Sequence, residues 1–169
     1  NRYNVSSMRY MFTTGSPLTF QIAQEAEKQF GCPIINALGT AEIGGVATYN
    51  LLDAPFDQRV LTVGRLIPGN EVGLVNEAGQ EVPWGEIGEV VFRGPTNAPG
   101  FYKDPERNRD EYLDGEWFKT GDQGKWDEQG NLMIVGRIKD VIKRAGQGMF
   151  PGEIENILFT HPKVAHVAI

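Results

Sequence analysis

The chain carries three runs of strand-forming residues: EVGLV (Glu71–Val75), GEVVFR (Gly88–Arg93) and LMIVGR (Leu132–Arg137). Each run is rich in β-branched or aromatic residues, and glycine-containing polar turns separate them. This pattern predicts a β-rich subdomain over residues 59–138. One polar helix is expected to interrupt it, from Pro105 to Leu113.

The residues before this region predict alternating strand and helix. A short buried strand is expected from Met8 to Phe12, and apolar residues recur at helical spacing from Leu18 to Phe30. Ser16-Pro17 is expected to begin that helix, with the serine as its cap. A second strand is expected over residues 32–35, so residues 1–58 predict an α/β layer.

The residues after Arg137 predict a hairpin, then a capped amphipathic helix from Pro151 to Leu158. Strand-like residues Val164 to Ile169 follow.

The composition excludes several classes of function. The net charge of -6 argues against a nucleic-acid-binding surface, which would be basic. No apolar run approaches the roughly 18 residues of a membrane helix. A single cysteine, Cys32, favours a reducing, cytoplasmic setting. His161 and His166 are the only histidines, too few for a zinc cluster.

Several short motifs occur along the chain in a defined order. They are TGSPL (14–18), GTAE (39–42), GEIGE (85–89), GFY (100–102), FKTGD (118–122) and GRIKD (136–140), with EIE (153–155) after the last. Each is weak alone, but together they resemble the adenylate-forming superfamily of acyl-CoA synthetases, aryl-acid ligases, luciferases and peptide-synthetase adenylation domains. The resemblance covers essentially the whole chain and looks closest to acyl-CoA synthetases and aryl-acid ligases.

The resemblance implies a mixed α/β and β-rich fold that is the last part of the superfamily's large lobe. Residues 1–58 would end its α/β subdomain, and residues 59–138 would form its small β-barrel-like subdomain. Residues 139–169 would begin the small α+β C-terminal lobe. A phosphate-binding loop would precede Asn1 and a catalytic lysine would follow Ile169, so we expect a fragment that is inactive alone.

Glu42 is implied as a catalytic residue and as the Mg²⁺ ligand. A magnesium ion keeps few protein ligands and shares the nucleotide phosphates, which suits one carboxylate. From the residues alone, a helix N-terminus with a favourable acid in its first turn is an equal interpretation. The resemblance places the nucleotide against two further segments: Gly15, Ser16 and Pro17, and Asn36, Ala37, Leu38, Gly39 and Thr40.

Asp122 is implied as the ribose-binding residue, assisted by Arg137, with Ile134 also beside the nucleotide. Two carboxylate oxygens match the vicinal hydroxyls of a ribose. For a lone Thr-Gly-Asp, an aspartate that bonds Gly124 would be the simpler interpretation. The presence of Gly136-Arg137 downstream disfavours that structural interpretation of Asp122.

Lys139 matches the superfamily's hinge, about which the small lobe turns between two half-reactions. Lys143 matches a residue of the second half-reaction and is implied as catalytic. Gly146 matches the small residue beside the pantetheine path. Without the resemblance, this stretch predicts an exposed strand whose lysines discourage edge pairing.

The resemblance implies ATP-dependent activation of a carboxylic acid as an acyl-AMP, then thioester formation with coenzyme A. The cofactors would be ATP/AMP, Mg²⁺ and coenzyme A, and the partners small molecules, with no nucleic acid and no membrane span. A homo-oligomer of the full-length protein stays open. The alternatives are an amino-acid or aryl-acid adenylation domain that loads a carrier protein, and a non-catalytic nucleotide-binding module.

Overall fold

The computed structural model describes residues 3–16, 18–144, 147–161, 163–164 and 166–169. The helices are α1 (Phe20–Phe30), α2 (Phe56–Leu61), α3 (Pro105–Glu111) and α4 (Pro151–Phe159). The strands are β1 (Met11–Thr13), β2 (Ile34–Asn36), β3 (Gly39–Thr40), β4 (Gly45–Val46), β5 (Thr48–Tyr49), β6 (Arg65–Leu66), β7 (Glu71–Val75), β8 (Gly88–Arg93), β9 (Tyr112–Leu113), β10 (Trp117–Trp126), β11 (Leu132–Arg137), β12 (Ile142–Arg144) and β13 (Gln147–Met149).

The centre of the molecule is a five-stranded antiparallel sheet. Its order is β11-β10-β8-β7, and β9 also pairs with β10. The three strands predicted from their β-branched residues, β7, β8 and β11, are confirmed with the expected bounds. The predicted helix is confirmed only to Glu111, because the next two residues pair with β10 as β9.

One hydrophobic core joins this sheet to the preceding part of the chain. Phe92, Phe118 and Leu132 from the sheet are almost fully buried with Ile43 and Ala47. Each large apolar side chain buried in this way contributes about 1.5–3 kcal/mol to stability. Ile43 follows Glu42, so this core anchors one of the segments predicted to bind the nucleotide.

The N-terminal part contains a parallel pair of strands, β1 and β2, joined by α1. Ala23 of α1 packs with Ile34 and Val60 in a second, smaller core. The predicted helix start at Ser16 is wrong, since α1 begins three residues after Pro17. The Thr19 hydroxyl caps it by accepting from the Ile22 N–H.

The C-terminal part contains the predicted hairpin, formed by β12 and β13, and the predicted helix α4. The cap of α4 was predicted wrongly, because Phe150 occupies that position and makes no side-chain capping bond. The Phe150 ring packs directly against Gly136 and is buried.

The strand predicted over Val164 to Ile169 is also wrong, since residues 163–164 and 166–169 are not in a strand. A strand requires a ladder partner for its backbone groups, and these residues pair with no strand in the described part of the chain. Among the described helices, none has the length and apolar character needed to cross a lipid bilayer.

Candidate nucleotide-binding site

The first group of predicted site residues lies where β1 and β2 end. Thr13 and Asn36 are paired at the ends of the two parallel strands, and the Ala37 N–H donates to the Thr13 carbonyl. Gly15 and Ser16 leave the sheet just beyond this pair, with Gly15 at a φ of 82°. Ligands of parallel sheets commonly bind at the carboxyl ends of the strands. Pro17, also predicted here, lies outside the described residues.

Buried polar side chains hold the backbone from Asn36 to Gly39. The Asn50 amide donates to the Asn36 carbonyl at 3.2 Å, and the Leu38 N–H donates to the Thr48 hydroxyl at 2.8 Å. Gly39 packs so closely on β4 that a Cβ would collide with the Gly45 carbonyl. The β3–β4 hairpin therefore already requires this glycine, whether or not a phosphate approaches it.

Glu42 lies in a 3-10 turn (Ala41–Ile43) directly after β3. The Thr40 hydroxyl donates to the Glu42 carboxylate and accepts the Glu42 N–H. That side-chain hydrogen bond lowers the pKa of Glu42, and the nearby Arg107 charge lowers it further, against a smaller opposing effect of burial. The carboxylate is therefore ionised at neutral pH.

A single ionised carboxylate fits the way that Mg²⁺ binds beside phosphates, with few protein ligands and several waters. The described residues contain no cluster of three or more acidic, histidine or cysteine side chains that would form a complete cation site. Glu42 would therefore hold Mg²⁺ only together with nucleotide phosphates. Both interpretations of Glu42 made from sequence fit its geometry, because it also lies in the first turn of a short helical segment.

Sequence reasoning missed the loop that covers the backbone of Glu42. The Glu42 carbonyl accepts the Ala98 N–H at 2.7 Å, and the Tyr112 hydroxyl donates to the Ala98 carbonyl at 3.0 Å. The Asn108 side chain holds the same loop by bonding both backbone groups of Phe101. The GFY motif contributed to the resemblance, but nothing in its spacing indicated a contact with Glu42.

The second group of predicted site residues lies on two adjacent strands. Asp122 of β10 faces Arg137 of β11, and the Asp122 Oδ1 to Arg137 Nε distance is 3.0 Å. Burial raises the pKa of Asp122, and the Arg137 guanidinium partly opposes this. Arg137 also donates to the Thr120 carbonyl at 3.4 Å. The carboxylate is thus directed at the guanidinium, with no hydrogen bond to Gly124 among the described contacts.

The other predicted residues lie further from these two groups. Ile134 pairs with Gly124 on β11 and β10, two pairs beyond Asp122. Lys143 is exposed on β12, in a separate two-stranded sheet. Gly146 lies outside the described residues.

A cleft adjoins the second group of predicted site residues. Its volume is about 450 Å³, and it opens between the β7–β8 turn and the start of the C-terminal part. It is lined by Glu77, Glu89, Lys119, Gly121, Arg137 and Lys139, among others. The cleft therefore reaches Arg137 of the Asp122–Arg137 pair and Gly121, the residue before Asp122.

Comparison with known proteins identifies the family of this chain. A family model described as "AMP-binding enzyme" matches residues 1–102, which is more than half of the chain. The chain belongs to the AMP-binding enzyme family. The matched range contains Gly15, Asn36 and Glu42, while Asp122 and Arg137 follow it.

Relatives in this family match nearly the whole chain. Pyochelin synthase PchD of Pseudomonas aeruginosa is 39% identical over 96% of the chain, and a salicylyl-CoA synthase / salicylate adenylyltransferase of Streptomyces sp is 34% identical over 96%. The crystal structure of the anthranilate CoA ligase AuaEII with anthranoyl-AMP aligns over 96% of the chain, with a TM-score of 0.87 and 30% identity. The chain spans about 30% of the length of these proteins.

The comparison confirms the expected fold class, part of the large lobe of an adenylate-forming enzyme. The domain boundaries and the individual site residues stay predictions.

Proposed function

We propose that this chain forms the nucleotide-binding part of a longer enzyme that activates a carboxylic acid with Mg·ATP. The carboxylate would attack the α-phosphate, so that a new carboxyl-oxygen-to-phosphorus bond forms and pyrophosphate leaves. A thiol would then attack the acyl carbon and release AMP. The observation that carries the proposal is the Asp122–Arg137 pair, placed on a fold shared with an enzyme that holds an acyl-AMP.

In this proposal, Asp122 and Arg137 bind and orient the ribose. Oδ1 of Asp122 accepts from Arg137, so the ion pair fixes the direction of the carboxylate before the nucleotide arrives. A hydrogen bond to a charged group contributes about 1.5–3 kcal/mol. Binding at the ribose positions the α-phosphate without any side-chain nucleophile.

Glu42 would hold Mg²⁺, which neutralises phosphate charge when bound. The Thr40 hydroxyl keeps the Glu42 carboxylate ionised and aimed, and the Glu42 carbonyl is tied to Ala98. These contacts fix both the side chain and the backbone of Glu42. Little reorganisation is then needed when charge develops at the phosphates.

Coenzyme A is the thiol that we propose, and Lys143 is the residue that would serve the thiol step. Lys143 lies just beyond the predicted hinge at Lys139, on an exposed strand that contacts neither Glu42 nor Asp122 among the described hydrogen bonds and ion pairs. An aryl acid is the proposed substrate class, since two of the relatives named above are described as acting on salicylate and anthranilate.

The test separates the two half-reactions in the full-length protein, meaning this chain joined to the preceding and following segments that its relatives have. Acid-dependent ATP–pyrophosphate exchange reports the first step, and thioester formation from preformed acyl-AMP reports the second. Lys143→Ala should leave exchange within a few-fold of wild type and slow the thiol step by about tenfold or more, roughly 1.4 kcal/mol. Glu42→Ala should do the reverse.

Arg144→Ala is the matched control, because it removes the neighbouring exposed cation. Equal damage to both steps by Lys143→Ala would contradict the assignment of this residue to the thiol step. Absence of exchange with salicylate, anthranilate and benzoate, alongside exchange with octanoate, would overturn the aryl class.

A carrier protein is the second candidate for the acceptor, because the resemblance seen in the sequence also includes peptide-synthetase adenylation domains. Offering preformed acyl-AMP either coenzyme A or a phosphopantetheine-bearing carrier protein decides between them. Faster transfer to the carrier would replace coenzyme A in the proposal.

A further inference from the structure

Strand β10 loses its regular register next to Asp122. Phe118 and Lys119 pair with Phe92 and Val91 of β8, but the next regular pair joins Gln123 to Glu89. Three residues of β10, Thr120 to Asp122, therefore lie opposite a single residue of β8. Such a bulge leaves backbone groups without their ladder partners.

Two side chains supply the missing hydrogen bonds. The Thr120 hydroxyl donates to the Val90 carbonyl at 2.8 Å and accepts the Asp122 N–H at 3.0 Å. The Glu89 carboxylate accepts the Gly121 N–H at 3.2 Å. The N–H groups of Gly121 and Asp122 are thus bound by side chains rather than by backbone carbonyls of β8.

Glu89 is well placed to set the orientation of the Gly121 peptide. Gly121 has a φ of 71°, and the position of its missing Cβ is free of atoms within 4 Å. Glycine is therefore required here for its backbone angle and not for space. Because glycine can adopt many backbone angles, the Gly121 peptide can rotate unless another group holds it. The bond from Glu89 opposes that rotation, and Asp122 is the next residue along the chain.

We propose that Glu89 is a positioning residue for the ribose, acting through the Gly121 peptide on the direction of the Asp122 carboxylate. This rests on the proposed function, in which Asp122 binds the ribose hydroxyls. In this role Glu89 acts through the backbone of Gly121 rather than through a contact of its own with the ribose. Loss of its carboxylate should reduce the recognition of the ribose hydroxyls specifically, while contacts made to the phosphates persist.

The test compares ATP with 2′-deoxy-ATP and 3′-deoxy-ATP in the full-length protein, with the ratio of KM values from pyrophosphate exchange as the readout. We expect wild type to discriminate by about tenfold or more, as for loss of a charge-assisted hydrogen bond. Glu89→Ala should reduce this ratio at least threefold. Glu89→Gln keeps an acceptor oxygen in place and should preserve the ratio within twofold.

Two further variants complete the design. Glu89→Asp keeps the charge but withdraws the oxygens from Gly121, so it should lose discrimination as Glu89→Ala does. If Glu89→Ala does not fold, Glu89→Asp tests the positioning role in its place. Glu86→Ala removes an exposed carboxylate three residues away and should behave as wild type.

The outcomes separate this inference from the proposed function. Wild-type discrimination in Glu89→Ala and Glu89→Asp, together with lost discrimination in Asp122→Ala, overturns the positioning role alone. A lower melting temperature with an unchanged KM ratio does the same, since it shows a structural role. Full discrimination in Asp122→Ala overturns the ribose contact and the inference with it.

Discussion

The carboxylate of Asp122 and the guanidinium of Arg137 form an ion pair in which the two partners differ in burial. Asp122 keeps 17% of its side-chain surface exposed, whereas Arg137 keeps 51%. The aspartate therefore bears most of the cost of desolvation, and its raised pKa reflects that cost. A site that binds a ligand commonly carries such a cost in the free protein.

Asp122→Asn should stabilise the ligand-free chain near neutral pH. Because the pKa of Asp122 is raised in the folded state, its contribution to stability is present below the unfolded pKa of about 3.9 and is lost as pH rises through the folded pKa. The variant should have the higher melting temperature at pH 7, and the two curves should converge below about pH 4. In the full-length protein, the same change should weaken ATP binding about tenfold or more. A lower melting temperature at pH 7 would show that the ion pair outweighs the burial cost.

Thr40→Val should raise the pKa of Glu42. The hydroxyl of Thr40 is the main cause of the lowered pKa, so its removal leaves burial as an opposing effect. In wild type, the stabilising contribution of ionised Glu42 is present above the unfolded pKa and is lost as pH falls through the lower folded value. A carboxyl carbon titration followed by NMR measures the shift, with Thr14→Val at an exposed residue as the control. An unchanged titration in Thr40→Val would rule out this hydrogen bond in solution.

Glu27→Ala should destabilise the chain by about 3–5 kcal/mol, because it leaves a buried charge without its partner. Glu27 pairs with Arg59 at 2.5 Å, and Arg59 is only 7% exposed. The same carboxylate accepts the Ile34 N–H. Urea unfolding measures the loss, and Glu25→Ala on the same helix should change stability by less than about 0.5 kcal/mol. Comparable losses in the two variants would contradict a special role for the pair.

Gly39→Ala should destabilise by about 1–3 kcal/mol, the usual cost of overpacking. A Cβ at residue 39 would meet the Gly45 carbonyl, which belongs to the paired strand and cannot easily withdraw. Gly152→Ala in α4 has open space and serves as the control, with a neutral or slightly stabilising effect expected. Thermal unfolding compares the two variants. Equal melting temperatures would show that the β3–β4 hairpin can move to accommodate the added Cβ.

The 169-residue chain by itself should show no acid-dependent ATP–pyrophosphate exchange, because it spans about 30% of the length of its relatives. Exchange above a blank without acid would show that the described residues suffice for the first step.

The sequence predicted the central strands well, because each is a short run rich in β-branched or aromatic residues between turns. β8 buries Val90, Val91 and Phe92 in succession, which is typical of a strand covered on both faces. Residues 164–169 look equally strand-like, but they lack a partner in the described chain. Strand propensity describes fit to a neighbouring strand, so it fails where the neighbour is missing.

The predicted site was recognised by its motifs, but its supporting contacts were not. Thr40 and Arg137 were both named, and their bonds to Glu42 and Asp122 follow from short separations or a shared sheet position. The roles of Glu89 and Ala98 depend on contacts between residues more than thirty positions apart. Such contacts arise from tertiary packing, and no local periodicity of a single sequence indicates which distant residues will meet.

The contact between Phe150 and Gly136 implies a resting position for the C-terminal part. Phe150 is 9% exposed, and its ring covers a glycine that precedes the predicted pivot at Lys139 by three residues. A rotation about that pivot would remove the Phe150 ring from Gly136. This costs about 1.5–3 kcal/mol unless the new arrangement buries the ring again. A free-energy cost of this size would favour the arrangement in which Phe150 is buried roughly 10- to 100-fold in the absence of ligand.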